Sequence, residues 1–200
     1  MNPVFGLVYQ TPGEWVARIE TDPDALLSDH AHCELQAAVS AQTLIGKNPD
    51  KAQLVESMSE VATEEMQHFT QVVRTLYARG SKLQPQLPNP YAEALISAAS
   101  RERKDALLDR LIVAALIEAR SLERFHLLAT NLTDQKLAGL YAELVPSEAA
   151  HHGLFMKFAR ELFDPDVADA RAQRLTELEG EIVSKLPFAH RMHSGVGEPG

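Results

Sequence analysis

Two hundred residues, 45% of them hydrophobic, suffice for one buried core and are too few for two large domains, so a single domain over 1–200 is expected. A net charge of −9 excludes generic nucleic-acid binding, which relies on Lys and Arg neutralising phosphates, so a nucleic-acid partner would need a local basic patch. Cys33 is the only cysteine, which excludes an internal disulfide and a Cys-rich metal module and suits a reducing compartment. The longest apolar run, residues 111–117, ends at Glu118, well short of the ~20 residues of a membrane span. Residues 1–10 lack the charged and apolar regions of a secretion signal, so the expectation is a cytoplasmic protein without membrane contact.

Asx-Pro pairs punctuate the chain, and Pro in the first turn after an Asn or Asp cap marks a helix start. A short helix is expected after Thr11-Pro12. Long helices follow over 23–47 and 49–79, the second stopped by Gly80. A Pro-rich crossover through Pro85, Pro88 and Pro90 leads to a shorter helical piece over 91–100. Further helices are expected over 103–132, 134–162 and 165–185, and the tail 187–200, rich in Gly, is expected to be flexible. Pro146 should bend its helix by freeing the carbonyl of Ala142, which would open a route to the interior. No β-rich stretch competes, and the two short connections with one long crossover give an all-α, ferritin-like four-helix bundle with extra short N-terminal and C-terminal helices.

The apolar stripes carry an unusual interruption. In the second helix Met58, Val61, Glu65, His68, Val72 and Leu76 share a face; in the 134–162 helix Leu144, Glu148, His151, Phe155 and Phe158 do so. Lone glutamates, Glu34 and Glu118, replace core residues on the stripes of the helices that precede each. From lone Glu to paired Glu the gaps are 31 and 30 residues, and the two sets are offset by 84, 83 and 83. Two Glu from two helices plus a Glu-x-x-His from each of two others is the ligand plan of a carboxylate-bridged di-iron or di-manganese bundle.

Four inward carboxylates must be paired, protonated or metal-bound, because isolated buried charge is costly. No Lys or Arg lies on these stripes, whereas two divalent cations would balance four carboxylates. Carboxylate and imidazole donors without thiolate favour iron or manganese over structural zinc. A third match, Glu123-x-x-His126, falls out of register, because 83 or 84 residues earlier there is neither Glu nor His. These two are expected at the surface or beside the ligands, and Glu64 in solvent. His30, one turn before Glu34, could hydrogen-bond a ligand, but the expected reading is a core histidine satisfied by the backbone. Cys33 is expected to be a small buried hydrophobe.

Four segments carry a family resemblance: residues 29–38 (DHAHCELQAA), 64–69 (EEMQHF), 118–125 (EARSLERF) and 147–152 (SEAAHH). With them, nearly the whole chain resembles the tRNA-(2-methylthio-N6-isopentenyl-adenosine) hydroxylases, ferritin-like non-haem di-iron monooxygenases. The Glu-x-x-His elements are shared by many di-iron proteins; the Glu-Ala-Arg-Ser-x-Glu-Arg-Phe segment is more particular. The resemblance implies O2-dependent hydroxylation of the isopentenyl group of 2-methylthio-N6-isopentenyl-adenosine at position 37 of tRNA. It implies two iron ions held by Glu34, Glu65, His68, Glu118, Glu148 and His151, O2 as co-substrate, and a reductase or ferredoxin as electron donor. Two basic groups, Arg101, Arg103, Lys104 and Arg110 or else His190, Arg191 and His193, are the candidates to meet tRNA phosphates. The alternatives are a ferritin-like iron oxidation and storage protein, a quinone-ring hydroxylase, and a helical interaction protein with a buried polar network. Oligomeric state is not legible.

Overall fold

In a computed structural model, residues 6–101 and 105–198 are described, the side chain of Arg101 excepted. Seven helices appear among them: α1 (Glu14–Ile19), α2 (Pro23–Lys47), α3 (Ala52–Ala78), α4 (Pro90–Arg101), α5 (Ala106–Asn131), α6 (Gln135–Leu162) and α7 (Pro165–Lys185). No strand occurs among the described residues, only an isolated bridge between Pro187 and Gly197. The chain groups into two compact units: residues 22–87 with 190–192, and residues 1–21 with 88–189 and 193–200.

The first unit is the α2–α3 hairpin. Asp22 caps α2 by accepting from the Ala25 amide, with Pro23 in the first turn. Asn48-Pro49 does not start α3, as its sequence suggests. The Asn48 side-chain Nδ2 instead donates to the Leu44 carbonyl at 2.9 Å and closes α2, so α3 begins later, at Ala52. Gly80, at φ +82°, ends α3 in a left-handed turn in which the Ser81 amide reaches the Leu76 carbonyl. Leu27, Ala31 and Leu44 of α2 and Met58, Val72 and Leu76 of α3 are buried at helical spacing.

In the second unit α5 and α6 pack along each other, and α4 and α7 pack together and against α5. Asp105, Asp134 and Asp164 cap α5, α6 and α7 through the amides two and three residues on. α6 runs continuously through Pro146. The segment after α7, expected to be flexible, is bound over residues 187–198. The Phe188 and Gly195 amides donate to the Gly197 and Pro187 carbonyls, and Met192, His193 and Ser194 are buried. Gly195 is required there, because a Cβ would stand 1.8 Å from the Leu186 carbonyl oxygen. Arg18 lies 3.9 Å over the Phe188 ring and donates to the Val196 carbonyl at 2.7 Å. Trp15 Nε1 donates to Ser194 Oγ, and Arg124 to the Ser194 carbonyl. These partners lie 70 to 179 residues away, which is why local composition misses them.

Candidate metal centre

Within the α2–α3 unit, Glu34 comes from α2 and Glu65 and His68 from successive turns of α3. Both carboxylates are buried, and the half-buried His68 places Nδ1 3.6 Å from Glu34 Oε2 and 3.6 Å from Glu65 Oε2. One donor atom from each of the three lies within 4.8 Å of the others. Burial alone would raise the Glu34 carboxyl, but the His30 charge and hydrogen bond, reinforced by His68, outweigh it and hold the group well below its ordinary value. Burial would likewise lower His68; Glu34 and Glu65 instead push it up to about 10. His30 is fully buried, as a core histidine would be, but its ring is bonded to Glu34 Oε1, so the expected backbone partner gives way to a contact with a candidate ligand.

The second unit repeats the arrangement. Glu118 of α5 and Glu148 and His151 of α6 are 5%, 2% and 2% exposed, and one donor atom from each lies within 4.8 Å of the others. His152, which the sequence did not single out, donates from Nδ1 to the Ala115 carbonyl at 2.8 Å and fixes α6 against α5 one turn before Glu118. Each triad thus offers two carboxylate oxygens and one imidazole nitrogen with no thiolate, a donor set that fits iron or manganese. Donors on opposite sides of such an ion, at bond lengths of about 2.0–2.3 Å, stand roughly 4.0–4.6 Å apart, comparable to these separations.

Glu123 is not a surface residue. It is buried and accepts from the Thr11 amide at 2.7 Å, from Thr11 Oγ1 at 2.6 Å and from Arg120. Arg120, also buried, grips Glu179 with Nε and Nη2 at 2.9 Å each, and Tyr91 donates to the same carboxylate at 3.0 Å. Burial opposes the Arg120 charge, yet Glu179 and Glu123 raise its pKa. Burial and the neighbouring Arg120 bring Arg124 down to about 9. The distinctive segment 118–125 therefore contributes one candidate ligand, and its other charged residues build a buried ionic cluster.

His126 and Glu64 are exposed. Cys33 is half-buried rather than buried, and burial, with Asp29 and Glu34 nearby, pushes its thiol up. Of the basic groups, Arg110 is exposed, whereas Arg103, Lys104 and the Arg101 side chain lie outside the described residues. In the tail group, His193 is buried and stacked on Tyr91, and Arg191 is paired with Asp29 at 2.7 Å. The tail group is therefore not an open phosphate-binding patch. No helix among the described residues is long and apolar enough to cross a membrane.

A chain whose described residues form helices and no strand, with two Glu, Glu-x-x-His triads whose carboxylates are buried, is of the ferritin-like class. A solved structure titled "Protein 43 with aldehyde deformylating oxygenase activity from Synechococcus" matches it with a TM-score of 0.87 and 36% identity, over 94% of this chain and 96% of that one. The chain belongs to the tRNA-(MS[2]IO[6]A)-hydroxylase (MiaE) family, whose description it matches over residues 4–194. A relative in Pseudomonas putida, named tRNA 2-(methylsulfanyl)-N(6)-isopentenyladenosine(37) hydroxylase, is 36% identical over 190 residues, 93% of this chain and 90% of that protein. One of the same name in Salmonella typhimurium is 28% identical, over 100% of this chain and 92% of that protein.

Proposed function

We propose that this chain is an O2-dependent di-iron monooxygenase that hydroxylates the isopentenyl group of 2-methylthio-N6-isopentenyl-adenosine at position 37 of tRNA. The observation that carries the reading is the pair of carboxylate–imidazole triads, their carboxylates buried, in a member of this hydroxylase family. Glu34, Glu65 and His68 hold one iron ion and Glu118, Glu148 and His151 the other. Ferrous ions bound there supply the reducing chemistry that activates O2 for attack on a C–H bond. In the balanced reaction one oxygen atom enters the C–H bond and the other leaves as water. Two electrons come from a reductase or ferredoxin-type donor and two protons from solvent.

The chain's own residues set the conditions for this chemistry. Glu34 is kept ionised and acceptor-only, and it is fixed by His30. Buried apolar neighbours such as Leu122 and Phe155 limit access of water to the second triad. Arg110 and the basic residues at the α4–α5 junction meet the tRNA phosphates, and the enzyme works in the cytoplasm. The test supplies anaerobically iron-loaded protein with a chemical reductant, O2 and tRNA carrying the unhydroxylated base, and reads the nucleoside by mass spectrometry. One added oxygen on the modified adenosine is expected. An unchanged base, with turnover of an aldehyde in the parallel reaction, would overturn the tRNA assignment in favour of the activity named for the Synechococcus protein.

A further inference from the structure

The α2–α3 unit carries a groove of about 930 Å³, lined by α3 between Ser59 and Ala78 and by Gln42 and Ile45 of α2. On this side of α3, Ser59, Thr63, Met66, Thr70, Arg74 and Tyr77 follow at steps of three or four residues, so they share one face, and all six are exposed. Met66 and Tyr77 are 37% and 56% exposed, unusual for large apolar side chains. Thr63, Thr70 and Thr75 donate their hydroxyl protons to the carbonyls of Ser59, Met66 and Gln71 at 2.8, 2.9 and 3.0 Å. With that donor used inside the helix, each threonine offers a partner a γ-methyl edge, and the face is more apolar than its composition.

The charges of α3 are segregated. Residues 52–65 hold Glu56, Glu60, Glu64 and Glu65 with no Lys or Arg, and residues 66–79 hold Arg74 and Arg79 with no Asp or Glu. Glu65 belongs to the candidate metal centre and Arg79 is paired with Asp24. Glu56, Glu60 and Arg74 are exposed and have no ion pair among the described residues. Glu60 and Arg74 stand about 21 Å apart along the axis, so they cannot meet within one helix. The helix dipole does not account for the pattern, because its influence ends within the terminal turn and Glu60 lies two turns inside. An antiparallel second copy satisfies it twice over. With the twofold axis between Met66 and Gln67, Thr63 faces Thr70 of the other copy and Ser59 faces Arg74, which lies within a turn of both Glu56 and Glu60. RNA fits this face poorly, since the threonine donors are used and glutamates flank the groove.

We propose that two copies of this chain associate through this face, α3 against α3 and antiparallel. Twelve residues line the groove, about half of the roughly 20–30 that one side of a stable interface uses, so the dimer is reversible, with a Kd on the order of 10 µM.

The test is sedimentation equilibrium of the full-length protein from about 1 to 200 µM, at low and at high salt. A monomer–dimer equilibrium weakened by salt is expected for the natural sequence. Arg74→Glu and Glu60→Arg should each weaken it roughly tenfold, because each reverses two symmetric contacts. Mixed one to one, these two variants should associate with each other as tightly as the natural chain, since every contact between positions 60 and 74 is again of opposite sign. The chain carrying both changes should likewise recover self-association. Misfolded chains could not produce either rescue. A monomer throughout the range, a dimer indifferent to both reversals, or single variants that fail to rescue one another would each overturn the proposal. A monomer whose tRNA binding is lost with Arg74→Glu would assign the groove to RNA instead.

Discussion

Replacing Arg120 with Met isolates what the buried ionic cluster contributes to the second unit. The guanidinium makes two bonds of 2.9 Å to Glu179, one to Glu123 and one of 3.0 Å to the Tyr9 carbonyl, and Arg120 and Glu179 are wholly buried. Met fills the volume but leaves the buried Glu179 carboxylate without its cation and Glu123 with only the Arg124 cation, at 3.7 Å. Breaking such a pair from one side costs about 3–5 kcal/mol. At roughly 2–4 °C per kcal/mol for a chain of this size, the midpoint should fall by about 6–20 °C. Trp15 is the only tryptophan and is fully buried in the same unit, so its fluorescence through a urea titration reports this unit's unfolding. A triple replacement, Arg120, Glu123 and Glu179 all to Met, should recover much of the loss, because apolar groups of similar size often substitute for a buried ion set without penalty. A loss below about 1 kcal/mol for Arg120→Met would show that the carboxylates find another partner or a proton at no cost, and the ionic account of segment 118–125 would fail.

Ferrous binding at pH 7.5 should release about one proton at the α2–α3 triad, because His68, pushed up to about 10, is protonated without metal and must be neutral to ligate; calorimetry in buffers of different ionisation heat checks this. Because that value lies above the ordinary 6.5, the stabilisation His68 gives the metal-free protein is complete below pH 6.5 and lost as pH rises through 10, so the melting temperature should fall over that window and His68→Gln should flatten the fall. Tyr91→Phe keeps the stack on His193 and removes the bond to Glu179, which should cost roughly 1.5–3 kcal/mol in the Trp15 assay. Deleting the chain beyond Leu186 removes the Ser194 partners of Trp15 and Arg124, and a red shift of Trp15 emission in the folded protein is the expected readout.

The helices were legible because their signals are local. Asp22, Asp134 and Asp164 cap where the sequence places them, while Asn48 shows the limit of the rule: an Asx side chain can close the preceding helix as readily as open the next. The six candidate ligands were legible because duplication supplies a second copy against which each can be checked. The same comparison set Glu123 apart from the ligands yet misjudged its exposure. A charged residue on a helix defaults to solvent, and the partner three residues back, Arg120, was visible, but Glu179, 59 residues beyond Arg120, was not. The bound tail was hidden for the same reason, since residues with loop-like composition are held by Trp15, Arg18 and Arg124.

Segment 118–125 links these observations. Along two turns of α5 it places Glu118 in a triad, Arg120 and Glu123 in the ionic cluster, and Ser121 and Arg124 against the tail at His193 and Ser194. Its counterpart on α2, following Glu34, carries Leu35 to Ala41 with no charged residue. Residue type and spacing at the candidate ligands are therefore the same in both halves, while the flanking residues differ. Before Glu34 the preceding turn supplies the imidazole of His30; around Glu118 the helix itself is anchored on its flanks by buried ion pairs and by the His152 bond to the Ala115 carbonyl. Pinning a helix on both flanks fixes the backbone that carries the glutamate, so less conformational freedom is left to lose when an ion binds.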